Sequence, residues 1–465
     1  MKKNTLTFAM LLLLIANSFG QLSVTTATKK VTEFINELQI GEYLLYQNPD
    51  IVKSQTTLAT FDKSFTSTPS DSWVFFLDKN PLKGWSHPCS FLFVDANTGK
   101  ITSIEWKLPP NNLDKWNLLT EIKEESNLKS FDFSTSDASL LKSGLIPANC
   151  YAVIISGGYD KSNNWQRYWN DCSAIYSALV DVYNYEDEHI YTIIADGINT
   201  ANDRRISGGY DSSPLDLDGD GDNDIQFSAT RANITSVFNT LSGILDSDDY
   251  LFIFVTDHGD QESGQDALIY LWGETIRDDQ FATEVNKVSA GEISIVMEQC
   301  YSGGFVDDLS GVNRVIATAC DFDETSCGMG FYTYDEFVFD WIAAVAGEDP
   351  NGNSVDADDN NDGFVSMQEA FNYAESNDAC SETPQYNSNK YTLGENLTLL
   401  GKEICISTDF IHDETINANR TIEDCNVDID NVTIENNANV TIEAEGNVII
   451  HKNFEAKVGT TLEIK

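Results

Sequence analysis

The chain has 465 residues, too many for one ordinary domain of about 150. It carries 28 Lys and Arg against 74 Asp and Glu, a formal charge of −46. That argues against nucleic acid or an anionic membrane surface as partner, because both require a basic protein surface. With 41% hydrophobic and 11% aromatic residues it is not a disordered acidic chain, so the excess carboxylates need another explanation, such as bound cations.

Residues 1–20 read as a signal peptide. Lys2 and Lys3 precede a short apolar run from Phe8 to Ala16, and the small residues Ser18 and Gly20 suit cleavage before Gln21. The run is much shorter than the ~20 residues that span a bilayer, and no later segment is long enough, so no transmembrane anchor is expected. Residues 21–107 read as a small α+β unit. Val31, Phe34, Ile35, Leu38 and Tyr43 recur at helical spacing from Val31 to Tyr46. Apolar strands follow at 73–77 and 91–94, and the turn at 95–99 leads into a strand at 100–106. Residues 108–149, with Pro109-Pro110 and a Ser-rich stretch, read as a linker.

From Tyr151 the pattern becomes α/β. Apolar strands at 151–156, 190–194, 250–256, 293–297 and 315–318 alternate with helices at 171–183, 232–245, 280–288 and 337–346. This predicts a mostly parallel sheet sandwiched by helices within residues 150–403. Residues 404–465 change again. Thr421-Ile422-Glu423, Val432-Thr433-Ile434-Glu435, Val440-Thr441-Ile442-Glu443 and Val448-Ile449-Ile450 recur between Asn, Ala and Gly. They predict a repetitive all-β unit, a sandwich or a short solenoid.

In open α/β sheets, reactive groups gather outside the carboxyl ends of the strands. One strand runs into Thr256-Asp257-His258-Gly259, and another into Glu298-Gln299-Cys300-Tyr301-Ser302-Gly303-Gly304. If these strands are neighbours, an imidazole meets a thiol, which can attack a carbonyl carbon while the imidazole moves the proton. Gly259 leaves its amide open to the reacting carbonyl, and with the Cys300 amide it forms a candidate oxyanion hole.

Phe-Ile-Phe-Val-Thr-Asp-His-Gly at 252–259, followed by Ile-x-x-Glu-x-Cys-x-Ser-Gly at 295–303, resembles the legumain-type cysteine peptidases. The resemblance extends from Tyr151 to Ala346, through the segments 165–171 and 314–320. It implies the caspase-haemoglobinase fold shared with caspases, gingipains and clostripain. It also implies a His258/Cys300 dyad acting on protein or peptide substrates. On that resemblance Arg167 is the candidate for binding the side chain before the scissile bond. Tyr301 stands where the family has a Glu at the substrate site. An Asn that orients the catalytic His is expected near Arg167, with Asn163 and Asn164 close but Trp165 in the aligned place. A transpeptidase or ligase on the same dyad is the alternative within the class, and an inactive calcium-binding adhesion module the alternative outside it. The hairpin Phe-Val-Asp-Ala-Asn-Thr-Gly-Lys-Ile at 93–101 resembles PepSY-type modules of bacterial propeptides, which implies a zymogen. The C-terminal repeats are similar to β-rich tails of exported proteins of Bacteroidetes-type Gram-negative bacteria. This implies sorting or surface attachment, and a secreted or cell-surface location.

Two acidic loops predict structural calcium, with no redox or nucleotide cofactor. Residues 358–369 match the twelve-residue EF-hand loop. Asp358, Asn360 and Asp362 stand at positions 1, 3 and 5, followed by Gly363, then Phe364 for its carbonyl, Ser366 and Glu369. Ser366 and Glu369 also form a capping box, compatible with calcium. In the second loop Asp216, Asp218, Asp220, Asp222 and Asp224 alternate with two glycines, but position 12 is Phe227. Nine cysteines in an exported chain are expected to be mostly oxidised, in up to four bridges if Cys300 is the free thiol.

Overall fold

The computed structural model describes residues 21–120, 149–402 and 408–464, apart from 42, 61–62, 84–86, 350–351, 390–392, 425 and 445–447. The signal-peptide reading of 1–20 lies outside the described residues. Among them, no helix is long and apolar enough to cross a membrane.

The first unit is an antiparallel sheet covered on both faces. Helix α1 (Val24–Leu38) is followed by β1 (Leu44–Gln47), β2 (Ser72–Asp78), β3 (Cys89–Asp95), β4 (Ile101–Trp106) and β5 (Asn117–Leu118), in the order β4-β3-β2-β1-β5. The helix does not run to Tyr46 as the spacing suggests. Gln39 ends it in the left-handed region at φ 52°, and residues 44–47 become a central strand. Alternation explains the sheet. Leu45, Phe75, Leu77, Leu92 and Val94 face Ala27, Val31 and Ile35 of α1. Tyr46, Val74, Phe76, Phe91 and Phe93 point the other way, onto Trp165, Tyr168, Leu268 and Tyr270 of the next unit. Each fully buried Phe contributes about 1.5–3 kcal/mol, so covering both faces stabilises the unit. The expected linker begins later than 107: Leu108, Leu113 and Trp116 join this core, and β5 pairs with β1.

The second unit is mixed α/β with a mostly parallel central sheet. Its strands are β6 (Cys150–Ser156), β7 (Ile190–Ile194), β8 (Tyr250–Val255), β12 (Glu292–Met297), β13 (Arg314–Thr318) and β14 (Gln385–Ser388). The order is β14-β13-β12-β8-β6-β7, with only β14 antiparallel. Between β8 and β12 lies an antiparallel meander, β9 (Gly259–Ser263), β10 (Asp266–Leu271) and β11 (Glu274–Arg277). Helices α2 (Gln166–Ser177), α5 (Glu336–Ala346) and α6 (Met367–Asn377) cover one face, and α3 (Arg231–Ile244) and α4 (Asp278–Val285) the other. The central strands are buried on both sides, which is why they read as unbroken apolar runs.

The C-terminal strands form three parallel three-stranded sheets around one apolar core that includes Ile411, Ile429, Ile434 and Ile442. Thr408 pairs with Asn426 and Val427 with Val448, so each turn of the coil spans two of the intervals visible in the sequence. The arrangement is the solenoid rather than the sandwich.

Candidate active site

Strand register brings the two reactive residues to one place. Strands β8 and β12 are adjacent and parallel, with Val255 opposite Met297. His258 and Cys300 each lie three residues beyond that pair, so both chains leave the carboxyl end of the sheet side by side. Gly259 then lies against the Cys300 main chain. A Cβ at Gly259 would sit 2.0 Å from the Cys300 carbonyl oxygen, so a side chain there would force the two main chains apart.

His258 is fixed from α2 and the loop before it. Its Nε2 is 2.8 Å from the main-chain oxygen of Asn163. A carbonyl only accepts, so Nε2 carries the hydrogen and Nδ1 is the basic nitrogen. The Tyr168 hydroxyl lies 3.0 Å from Nδ1 and takes a hydrogen bond from Arg167 Nη2 at 3.0 Å. Arg167 Nε in turn meets Asp335 at 2.7 Å. The orienting contact expected from an Asn side chain thus comes from a backbone carbonyl. The Asn163 and Asn164 amides bond elsewhere, to Asp160 and to the Asp203 carbonyl. Asp257 accepts from the Gly157, Gly158 and His258 amides, which holds the His258 loop against the end of β6.

Two residues named from sequence for substrate binding sit differently in the structure. Arg167 is buried, and its Nη1 has no hydrogen-bond partner among the described residues. It is 1% exposed beneath Gly328, its charge matched by Asp335. Tyr301 takes a left-handed conformation at φ 61° and is buried in the apolar cluster that includes Met297 and Phe305. Tyr168 and Asp335 carry no motif of their own. Only their place near Arg167 in the fold reveals them.

Both His258 and Cys300 are buried. Burial pushes the Cys300 thiol well up, and burial followed by the charge of Arg167 pushes His258 down, so both are neutral as positioned. Cys300 Sγ rests 3.7 Å from Ser326 Oγ and 3.8 Å from the Ser326 carbonyl oxygen.

The acidic loops also take shape. Asp216, Asp218 and Asp224 converge, with carboxylate oxygens within 4.8 Å of one another. Asp220 and Asp222 form a second group with Asp187, which no sequence motif includes. Burial pushes Asp224 up to about 7, the behaviour of a carboxyl held among others. In the 358–369 loop, Asp358 accepts from the Asp362 and Gly363 amides, and Asp362 accepts from the Phe364 amide. The Asn360 side-chain amide bonds Asp362, and its main-chain amide donates to Glu369. Ser366 and Glu369 form the reciprocal capping box that opens α6.

The cysteines differ from expectation. Cys327 and Cys380 form a disulfide, whereas Cys89, Cys150, Cys172, Cys300 and Cys320 are buried and unbridged. Four bridges are therefore not made. Cys89, Cys150 and Cys172 instead act as small apolar core residues. Cys405 and Cys425 lie outside the described residues.

No curated protein matches the chain. Among solved structures, protein GSU0716 from Geobacter sulfurreducens is similar at 11% identity, covering 52% of this chain and 96% of its own, with a TM-score of 0.34. That likeness is too low to carry an argument. The model of the Peptidase C13 family matches residues 150–394, which takes in the whole parallel sheet, His258, Cys300 and both acidic loops. The chain belongs to the Peptidase C13 family.

Proposed function

We propose that the chain is a secreted cysteine endopeptidase with a caspase-like sheet, Cys300 as nucleophile and His258 as general acid and base. The observation that carries this is the in-register exit of β8 and β12, which sets both residues at one sheet edge. In the reaction, the Cys300 proton passes to His258 Nδ1 as sulfur bonds the substrate carbonyl carbon. The oxyanion faces the amides of Gly259 and Cys300. The imidazolium protonates the departing amine, the C–N bond breaks and a thioester remains. Water then attacks, its proton going to Nδ1, and the C–S bond breaks to release the carboxylic acid and restore the thiol. Calcium in the two loops braces chain beside this edge and takes no part in the chemistry. The first unit covers the dyad until it is displaced, and the C-terminal coil serves sorting or attachment. Normal export and anchoring of a chain cut before 404 would refute that last role.

The test is covalent. An acyloxymethyl ketone peptide should alkylate Cys300 once the first unit is clipped away. Labelling and peptide hydrolysis should vanish in Cys300→Ala, and hydrolysis should fall about 10²–10⁴-fold in His258→Ala. Hydrolysis that survives in Cys300→Ala would sink the reading.

A further inference from the structure

We propose that a cavity at the seam of the first and second units binds a small organic anion, a carboxylate on a flat apolar body, with Arg205 as its cation. The same site is tied to His258 through the main chain of residues 162–164. The proposal goes beyond the peptidase reading and is tested by binding, so the two stand or fall separately.

The cavity holds about 560 Å³, within the range of about 300–1,000 Å³ usual for small-molecule sites. Tyr46 and Trp116 of the first unit and Tyr210 and Tyr332 of the second line it. Such walls suit a flat apolar body, which stacks on aromatic faces or meets their edges. Arg205 also lines the cavity although it is only 5% exposed. A buried guanidinium is normally matched by a carboxylate. Arg204 is matched by Asp211 at 2.8 Å, and Arg167 by Asp335. Arg205 forms no ion pair among the described residues, and the ionisable groups acting on it most are Tyr46, Tyr210 and Tyr332. Its guanidinium lies 4.1 Å from the centre of the Trp165 ring and 5.5 Å from that of Tyr46, and Nη1 donates to the Ser162 carbonyl at 3.2 Å. A guanidinium carries more N–H groups than that contact uses, in a planar fork that fits a carboxylate. The acid on the cavity wall, Asp114, is already answered by Lys161 Nζ at 3.5 Å, so the positive charge left over belongs to Arg205.

Three successive carbonyls connect this site to the imidazole. Arg205 Nη1 takes that of Ser162, His258 Nε2 takes that of Asn163 at 2.8 Å, and the Arg205 main-chain amide takes that of Asn164 at 2.7 Å. Arg205 therefore holds the chain on both sides of the group that orients His258. An anion drawing on the same guanidinium alters the first of these bonds, one peptide unit from the carbonyl that His258 uses.

The test uses the full chain with phenylacetate as probe. Phenylacetamide, its neutral isostere, and inorganic phosphate, which lacks the apolar body, are the controls. Phenylacetate should change tryptophan fluorescence saturably and, at about 100 times its Kd, raise the melting temperature by about 3 °C or more. Both controls should bind about tenfold or more weakly, the scale of one charge-assisted contact. Arg205→Met should lose affinity to the same degree. Because Arg205 is buried, a second variant leaves it in place. Gly209 lines the cavity, and a Cβ there would meet nothing within 4 Å. Gly209→Glu supplies a tethered carboxylate, so it should melt no lower than wild type and abolish phenylacetate binding. No saturable response to phenylacetate, equal binding of phenylacetamide, or full binding to Gly209→Glu would overturn the site. Phosphate binding as tight as that of phenylacetate would overturn the ligand class. In a chain with isotope-labelled histidine, phenylacetate should shift the Nε2–H resonance that is lost in His258→Gln. No shift at saturation would overturn the tie to His258.

Discussion

At the residue scale, two buried contacts decide the site. Gly259 is required because the Cys300 carbonyl stands where its side chain would be. Gly259→Ala is expected to destabilise the chain by about 1–3 kcal/mol in urea titration and to abolish hydrolysis; a variant that melts and turns over like wild type would show that the main chains part freely. Arg167 is the ion-pair partner of Asp335 and the donor to Tyr168. Arg167→Met leaves Asp335 buried without its cation, at a cost of about 3–5 kcal/mol measured by denaturant. It should also lower kcat more than it raises KM, because Tyr168 loses its support behind His258 Nδ1. A loss of binding alone, with kcat kept, would return Arg167 to a substrate-contact role. None of these roles was legible beyond the motif residues, because a hydrogen bond between positions 168 and 258 leaves no mark on local sequence.

At the element scale, the loop before α6 combines two jobs in one residue. Glu369 closes the capping box with Ser366 and is the twelfth position of the proposed calcium loop. Glu369→Gln keeps a cap acceptor but loses the charge, so it should match wild type in chelator and lose the calcium-dependent rise in melting temperature. Glu369→Ala loses both, with about 1 kcal/mol of further destabilisation in chelator. If calcium raises the melting temperature of neither wild type nor Glu369→Gln, the loop is a cap alone. The parallel strands of the α/β unit were readable almost to the residue, because strands buried on both faces leave unbroken apolar runs, whereas α2 starts five residues before the expected 171 and β9–β11 and β14 had no such run to mark them. The stretch 44–46 was not, because Tyr43 and Tyr46 continue a helical spacing that only the left-handed Gln39 interrupts.

At the scale of the molecule, the charge of −46 bears on stability. Burial pushes Asp196 up to about 6, Asp224 and Asp340 to about 7, and Asp257 to about 8. Unfolded, each titrates near 4, so between about pH 4 and 8 the folded chain holds more protons than the unfolded one. Their contribution is therefore full at the acid end and is lost as pH rises. In chelator the melting temperature should be higher at pH 5.5 than at 8.5, and calcium should narrow that gap by neutralising the Asp216, Asp218 and Asp224 group. Scanning fluorimetry across pH with and without calcium measures both, and a gap of opposite sign would refute the assignment.

The sequence by itself determined which strands are buried, where they end, and that a His and a Cys stand at two of those ends, since apolar period and motif order are local properties. It also marked the carboxylates that gather in the acidic loops. The tertiary structure alone decided that β8 and β12 are neighbours in register, that Asp187 joins Asp220 and Asp222, and that five described cysteines stay unbridged. It alone set Arg205 beside Trp165, because main-chain pairing between distant segments depends on the packing of the whole unit and leaves no signature in either one.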